Sequence, residues 1–283
     1  FIILLSEDFT SISPFSDKKV KEIVEDLSLD QSFHKALANI NFPFLSNFFP
    51  SLIEKIIKRK FDSYFKHVST IKQFQSSLSP LVEAMISNTT SGFSISGEEN
   101  LSKIPTLFIG NHRDISLDPL FLNFSLFKRG LETVRIAVGD NLLDKGFAEK
   151  VMRLNKSFVV HRNITGMKET YKRLKTLSSY INKSIEIDKQ SVWIAQREGR
   201  ANDGNDFTDQ AVLKMLYLNK RKASLHTWVS AVNLTPLVIS YEYDPLDIQK
   251  ATRWKDRENL TKEENNKRAI SELVKGIKGK KER

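Results

Sequence analysis

The stretch Ile109-Gly110-Asn111-His112-Arg113-Asp114-Ile115-Ser116-Leu117-Asp118-Pro119 places a histidine and two aspartates directly after an apolar run, Thr106-Leu107-Phe108-Ile109. Imidazole is the side chain suited to taking a proton near neutral pH, and a carboxylate beside it holds its tautomer and stabilises its charged form. A hydroxyl is a poor nucleophile until such a pair removes its proton. His112 is therefore a candidate general base, with Asp118 or Asp114 as its orienting carboxylate. Other polar residues gather where apolar runs end. Arg162 follows Phe158-Val159-Val160-His161, Gln196-Arg197-Glu198-Gly199-Arg200 follows Ser191–Ala195, and Thr235-Pro236 opens the run Leu237-Val238-Ile239. Arginine forks match phosphate geometry, so convergence of these clusters would form a pocket for a phosphorylated substrate.

The elements that must position these residues are short. Apolar runs at 105–110, 133–138, 157–161, 191–196 and 235–241 read as strands, and 165–185 and 207–219 read as helices, the second with Thr208 as its N-cap. Strands alternating with helices imply an α/β fold with a mostly parallel, mixed sheet flanked by helices, whose sites collect at the carboxyl ends of the strands. Earlier in the chain the spacing is helical. Val20, Ile23, Val24 and Leu27 mark one buried face, and Leu52, Ile53, Ile56, Ile57, Phe61, Tyr64 and Phe65 mark another. Phe74, Leu78, Leu81, Val82, Met85 and Ile86 suggest a third helix, kinked or started at Pro80. A loop-rich boundary at Ser87–Gly92 and Gly97–Asn100 separates a helical N-terminal domain, 1–95, from a catalytic domain, 96–283.

Composition narrows the partners. The chain carries a formal charge of +10, which favours anionic partners such as phosphate metabolites, coenzymes, anionic lipid or nucleic acid. No zinc-finger spacing, RNA-binding signature or basic region leading into heptads argues for nucleic acid. The basic tail, Lys275, Lys278, Lys280, Lys281 and Arg283, reads as a solvated end. With no cysteine, thiolate nucleophiles, disulfides and thiolate metal sites are excluded, and no metal ligand set is expected. No apolar run reaches the length of a membrane span, about 18 residues. The nearest is the phenylalanine-rich stretch 40–53, broken by Pro43 and Pro50 and followed by Lys55, Lys58, Arg59 and Lys60. It reads equally as a core-packing turn or as an anchor at an anionic membrane interface. The chain opens on Phe1, not methionine, which leaves a preceding targeting segment open.

Taken in order, the motifs resemble the glycerolipid acyltransferase superfamily, which includes glycerol-3-phosphate and 1-acylglycerol-3-phosphate acyltransferases. That family carries N-H-x-x-x-x-D, an apolar strand ending in arginine, a strand into E-G-x-R, and an apolar strand with a proline. The counterparts here are N-H-R-D-I-S-L-D-P, K-S-F-V-V-H-R, Q-R-E-G-R and L-T-P-L-V-I-S, spanning residues 111 to 240. Two spacings depart from the pattern. Five residues separate His112 from Asp118 where the family has four, and Glu198-Gly199-Arg200 is one residue shorter than E-G-x-R.

The resemblance implies transfer of a fatty acyl group from acyl-CoA or acyl carrier protein to a hydroxyl of glycerol-3-phosphate or a lysophospholipid, with no further cofactor. It implies His112 as the base and Asp118 as its preferred partner, because Leu117-Asp118-Pro119 keeps the family's ending. Asp114 is the rival, which would otherwise cap the loop or bond Arg113. Arg113, Arg162, Glu198, Gly199, Arg200 and Pro236 would form the substrate site. Backbone N–H groups near the start of the helix after Asp118 would stabilise the oxyanion. A protein of this kind would work peripherally, on the cytoplasmic face of the membrane. The alternatives are an acyltransferase on another lipid alcohol, or a non-catalytic basic lipid-binding protein of the same fold. The fragment His112-Arg113-Asp114 also resembles the catalytic loop of protein kinases, but Pro119 stands where that loop needs asparagine.

Overall fold

The computed structural model describes residues 8–42, 44–143, 146–162, 164–201, 204–255 and 272. By contacts these form two units, one of residues 14–85 with 142–157, the other of 1–13, 86–141 and 158–283. The basic tail from Lys275 to Arg283 lies outside the described residues.

The first unit is helical: α1 (Asp17–Leu29), α2 (Gln31–Asn41), the single turn α3 (Leu45–Phe48), α4 (Pro50–Phe65), the first part of α5 (Ile71–Thr89), and α7 (Gly146–Leu154). Val20, Ile23, Val24 and Leu27 are the buried face of α1, as their spacing requires. On α4 the buried line is Ile53, Ile57, Phe61 and Phe65, every fourth residue. Leu52, Ile56 and Tyr64, which share the apolar spacing, are exposed. Phe33, Phe61, Phe65 and Phe74 build the aromatic centre of this core, with Phe33 meeting Phe61 edge-on at 5.2 Å. Leu154 of α7 packs into the same cluster. Helix α5 begins at Ile71 and carries Pro80 inside it, so the proline does not start the helix.

The second unit holds a five-stranded parallel sheet of order β3-β2-β4-β1-β5. Its strands are β1 (Leu107–Gly110), β2 (Arg135–Gly139), β3 (Ser157–Val160), β4 (Val192–Ala195) and β5 (Thr235–Leu237). Helices α6 (Leu117–Lys128), α8 (Met167–Glu186), α9 (Gln210–Tyr217), α10 (Leu225–Ala231) and α11 (Asp247–Lys255) follow or connect them. The sheet is entirely parallel, where a mostly parallel, mixed one was expected. β1 is buried along its whole length and lies between β4 and β5, Gly110 pairing with Ala195 on one side and Leu237 on the other. Pro236 sits on the edge strand, where a missing N–H costs no ladder bond. The N-cap of α9 is Asp209, which accepts from the Ala211 N–H, and not Thr208. The Thr208 hydroxyl donates to Gln196 Oε1 instead, so its side chain is committed to the end of β4.

The two faces of α4 give a direct contrast. Phe61→Ala is expected to lower the unfolding free energy by about 3–5 kcal/mol, since it empties a packed aromatic site. Leu52→Ser on the same helix should change it by no more than about 0.5 kcal/mol. Urea titrations of the two variants measure both.

Candidate active site

The carboxyl end of β1 runs into a turn whose hydrogen bonds are organised by side chains. Asn111 is a two-point clamp. Its Nδ2 donates to the Ile239 carbonyl at 2.9 Å, and its Oδ1 accepts from the Ile239 N–H at 2.8 Å. The strand therefore cannot shift against the segment after β5 without losing both bonds. Gly110, the last strand residue, must lack a side chain because the Trp193 indole lies against it. A Cβ there would fall 2.6 Å from Trp193 Nε1. That indole also stands edge-on to the His112 ring, with centroids 6.3 Å apart.

His112 is almost fully buried, and its main chain is held on both sides. Its N–H donates to Asp206 Oδ2 at 2.8 Å, and its carbonyl accepts from Ala201. Asp206 is itself gripped by Gln196, whose Nε2 donates to the Asp206 carboxylate and main-chain carbonyl. The end of β4 and the loop after it therefore fix where the imidazole stands.

Asp118, in the first turn of α6, is fully buried, and three donors converge on it. Oδ2 accepts from the N–H groups of Arg113 and Asp114 at 2.7 and 2.9 Å, and Oδ1 accepts from the Tyr241 hydroxyl at 2.8 Å. The same Oδ2 lies 3.6 Å from His112 Nδ1, inside ion-pair range and longer than a hydrogen bond. Burial and the adjacent Asp118 carboxylate push the Tyr241 phenol far above its ordinary value, so it stays a donor at any working pH.

Asp114 is equally buried and does different work. Its Oδ1 accepts from the N–H groups of Ser116 and Leu117, capping the entry to α6. Its Oδ2 has no partner among the described residues. Burial first, opposed by those two N–H groups and reinforced by the Asp118 charge, holds the Asp114 carboxyl above the usual carboxylate value. The geometry thus sets Asp118 beside the imidazole and Asp114 under the turn. The N–H groups of Arg113, Asp114, Ser116 and Leu117 all serve these two carboxylates.

The remaining sequence candidates divide. Arg162 crosses the end of β2, where Gly139 leaves room for it, since a Cβ on Gly139 would overlap the guanidinium. The Arg162 N–H lies 3.3 Å from Asp140 Oδ1, and Asp140 Oδ2 lies 3.3 Å from His161 Nδ1. Glu198 is exposed and stands 3.8 Å from Arg162 Nε. Gly199 turns the chain with φ of 74°, a conformation that favours glycine. Arg200 is buried and ion-paired with Glu272. Arg113 points to Asp244 at 3.3 Å, and Asp244 also pairs with the buried Lys250. Burial pulls the Lys250 ammonium below its usual value, with Asp244 opposing. Lys250 Nζ donates to the Arg113 carbonyl at 2.7 Å, a further brace on the turn. Pro236 lies on the exposed edge, paired in register with Ile109.

Tyr241, Asp206, Trp193, Gly139 and Lys250 are positioning residues that the motifs did not single out, whereas Gln196, which grips Asp206, opens the Q-R-E-G-R motif. Most sit far along the chain from His112. The apolar strand before Tyr241 was the available signal for it, since it predicts that Tyr241 emerges beside β1. Among the described residues, no three His, Asp or Glu side chains group as metal ligands.

Tyr241→Phe is expected to cost about 1–3 kcal/mol of unfolding free energy by stripping a donor from a buried carboxylate, measurable by urea titration. Asp114 gives a pH signature. An acid raised in the folded state contributes stability that is present below its unfolded value and lost as pH climbs through the folded one. Relative to Asp114→Asn, the unmodified protein should lose stability from about pH 4 upward. Parallel pH profiles for the two would contradict that assignment.

Residues 92–229 match the family model described as Acyltransferase. No curated protein matched the chain. The matched stretch contains His112 and Asp118, Arg162 with Gly139, and the Glu198–Arg200 turn, and it spans four of the five strands. Residues 92–229 of this chain are a domain of the acyltransferase family.

Proposed function

We propose that the protein transfers a fatty acyl group from acyl-CoA or acyl carrier protein to a hydroxyl of glycerol-3-phosphate or lysophosphatidate. One observation carries this reading: within an acyltransferase domain, a buried His112 stands against a carboxylate that the fold holds in place. Asp118 Oδ2 faces Nδ1, which leaves Nε2 as the nitrogen for the acceptor. The acceptor hydroxyl gives its proton to Nε2 as its oxygen attacks the thioester carbonyl. The tetrahedral intermediate then expels the thiolate, and the imidazolium returns the proton to sulfur. The products are an ester and a free thiol. Asp118 stabilises the imidazolium between the two steps.

Arg162 supplies the charge for an acceptor phosphate, because its guanidinium is partly exposed and its acidic neighbour Glu198 stands 3.8 Å away. Arg200, already paired with Glu272, shapes the Glu198–Gly199 turn, and Arg113 braces the His112 turn through Asp244.

A labelled acyl donor offered with a panel of phosphorylated and unphosphorylated glycerol acceptors tests the reading. His112→Ala should lower turnover by about 100- to 10,000-fold while the fold persists. Asp118→Asn should approach that loss, and Asp114→Asn, which keeps the cap acceptor, should retain most activity. Tyr241→Phe should lower kcat with KM unchanged. Full activity in His112→Ala, or a larger loss in Asp114→Asn than in Asp118→Asn, would refute the assignment. An acceptor preference that ignores phosphate would remove Arg162 from its role and favour a different lipid alcohol.

A further inference from the structure

The phenylalanine-rich stretch after α2 is not a core-packing turn. Phe44, Phe48 and Phe49 are 72%, 64% and 58% exposed, and Leu52 and Ile56, one turn apart on α4, are 57% and 43% exposed. With Leu45 they make six exposed large apolar side chains within residues 44–56, gathered in one short stretch rather than scattered along the chain. The rings of Phe44 and Phe48 rest against each other at 5.0 Å. Because Phe49 caps the end of α3 and Pro50 starts α4, these apolar side chains lie at the corner between two helices.

The charge beside it is one-sided. Lys55, Arg59 and Lys60 are exposed on α4. The two acids of that helix, Glu54 and Asp62, are half-buried, and Asp62 is bound to Lys58 and Ser28. A second copy docking through the same corner about a two-fold axis would set these cations against their own images. Anionic headgroups would attract them, while the hydrocarbon boundary would receive the rings.

We propose that the α3–α4 corner is a docking surface for an anionic lipid bilayer, with Phe44, Phe48 and Phe49 entering the interface and Lys55, Arg59 and Lys60 at the headgroup phosphates. Docking stands on this surface alone and requires no acyl transfer. No helix among the described residues is long and apolar enough to cross a membrane.

The test is sedimentation of the full chain with vesicles of phosphatidylcholine, alone or mixed with phosphatidylglycerol. The protein should partition onto the mixed vesicles, more strongly at low salt. Replacing Phe44, Phe48 and Phe49 together by Ser should weaken partitioning roughly tenfold or more. Lys55→Glu with Arg59→Glu should weaken it by about fivefold or more per position and flatten the salt dependence. These positions are exposed, so unchanged melting and far-ultraviolet circular dichroism should confirm that each variant folds. A Phe48→Trp reporter should blue-shift on the mixed vesicles and be quenched by brominated lipid. The His112→Ala protein should dock like the unmodified one, which separates this proposal from the acyl-transfer reading. Equal partitioning of the Ser variant, no binding of the unmodified chain, or a dimer in sedimentation velocity that the Ser variant dissolves would each overturn it.

Discussion

A carboxylate removed from water must find donors inside the protein or be neutralised. Asp118 is fully buried, and the surrounding chain is arranged to supply them. Two come from the backbone of the turn after β1, which forces that turn to fold back over the start of α6. The third comes from Tyr241, beyond β5, so the bond holds only if β5 pairs beside β1. Asn111 locks the same two segments together through Ile239. The imidazole of His112 stands beside this carboxylate, its Nδ1 3.6 Å from Oδ2.

Two aspartates four residues apart thus acquire opposite functions from their surroundings. Asp118 is supplied with donors on both oxygens and faces the histidine. Asp114 has donors on one oxygen only, and burial beside a second carboxylate favours its neutral form. Two carboxylates in one small buried volume repel each other, because like charges are poorly screened there.

The helical unit shows a different use of the same residue types. α4 spends its Ile53, Ile57, Phe61 and Phe65 line on the core, while Leu52 and Ile56 extend an apolar surface that remains in water. Arginines divide in a similar way. Arg200 and Arg113 are held by Glu272 and Asp244, and Arg162 lies across Gly139 at the mouth of the strand ends.

Much of this was legible along the chain. Five apolar runs became five strands, and the helical spacing of Val20 to Leu27 became a buried face, because burial periodicity is a local property of sequence. The base candidate, His112, was visible for the same reason: its motif is contiguous. What required the tertiary structure was every relation across the sheet. Which aspartate reaches the histidine depends on Tyr241, 123 residues beyond Asp118, and on a turn whose N–H directions no spacing rule encodes. The pairing of Arg200 with Glu272 and the need for glycine at 139 depend likewise on side chains distant in sequence. The grouping of residues 142–157 with the N-terminal helices is a matter of long-range packing. The sequence alone determined the period and chemistry of each segment, which are set by neighbours a few residues away. Only the tertiary structure decided which apolar faces stay exposed and which carboxylate stands beside the histidine, because burial and donor supply are set by segments that the chain must first bring together.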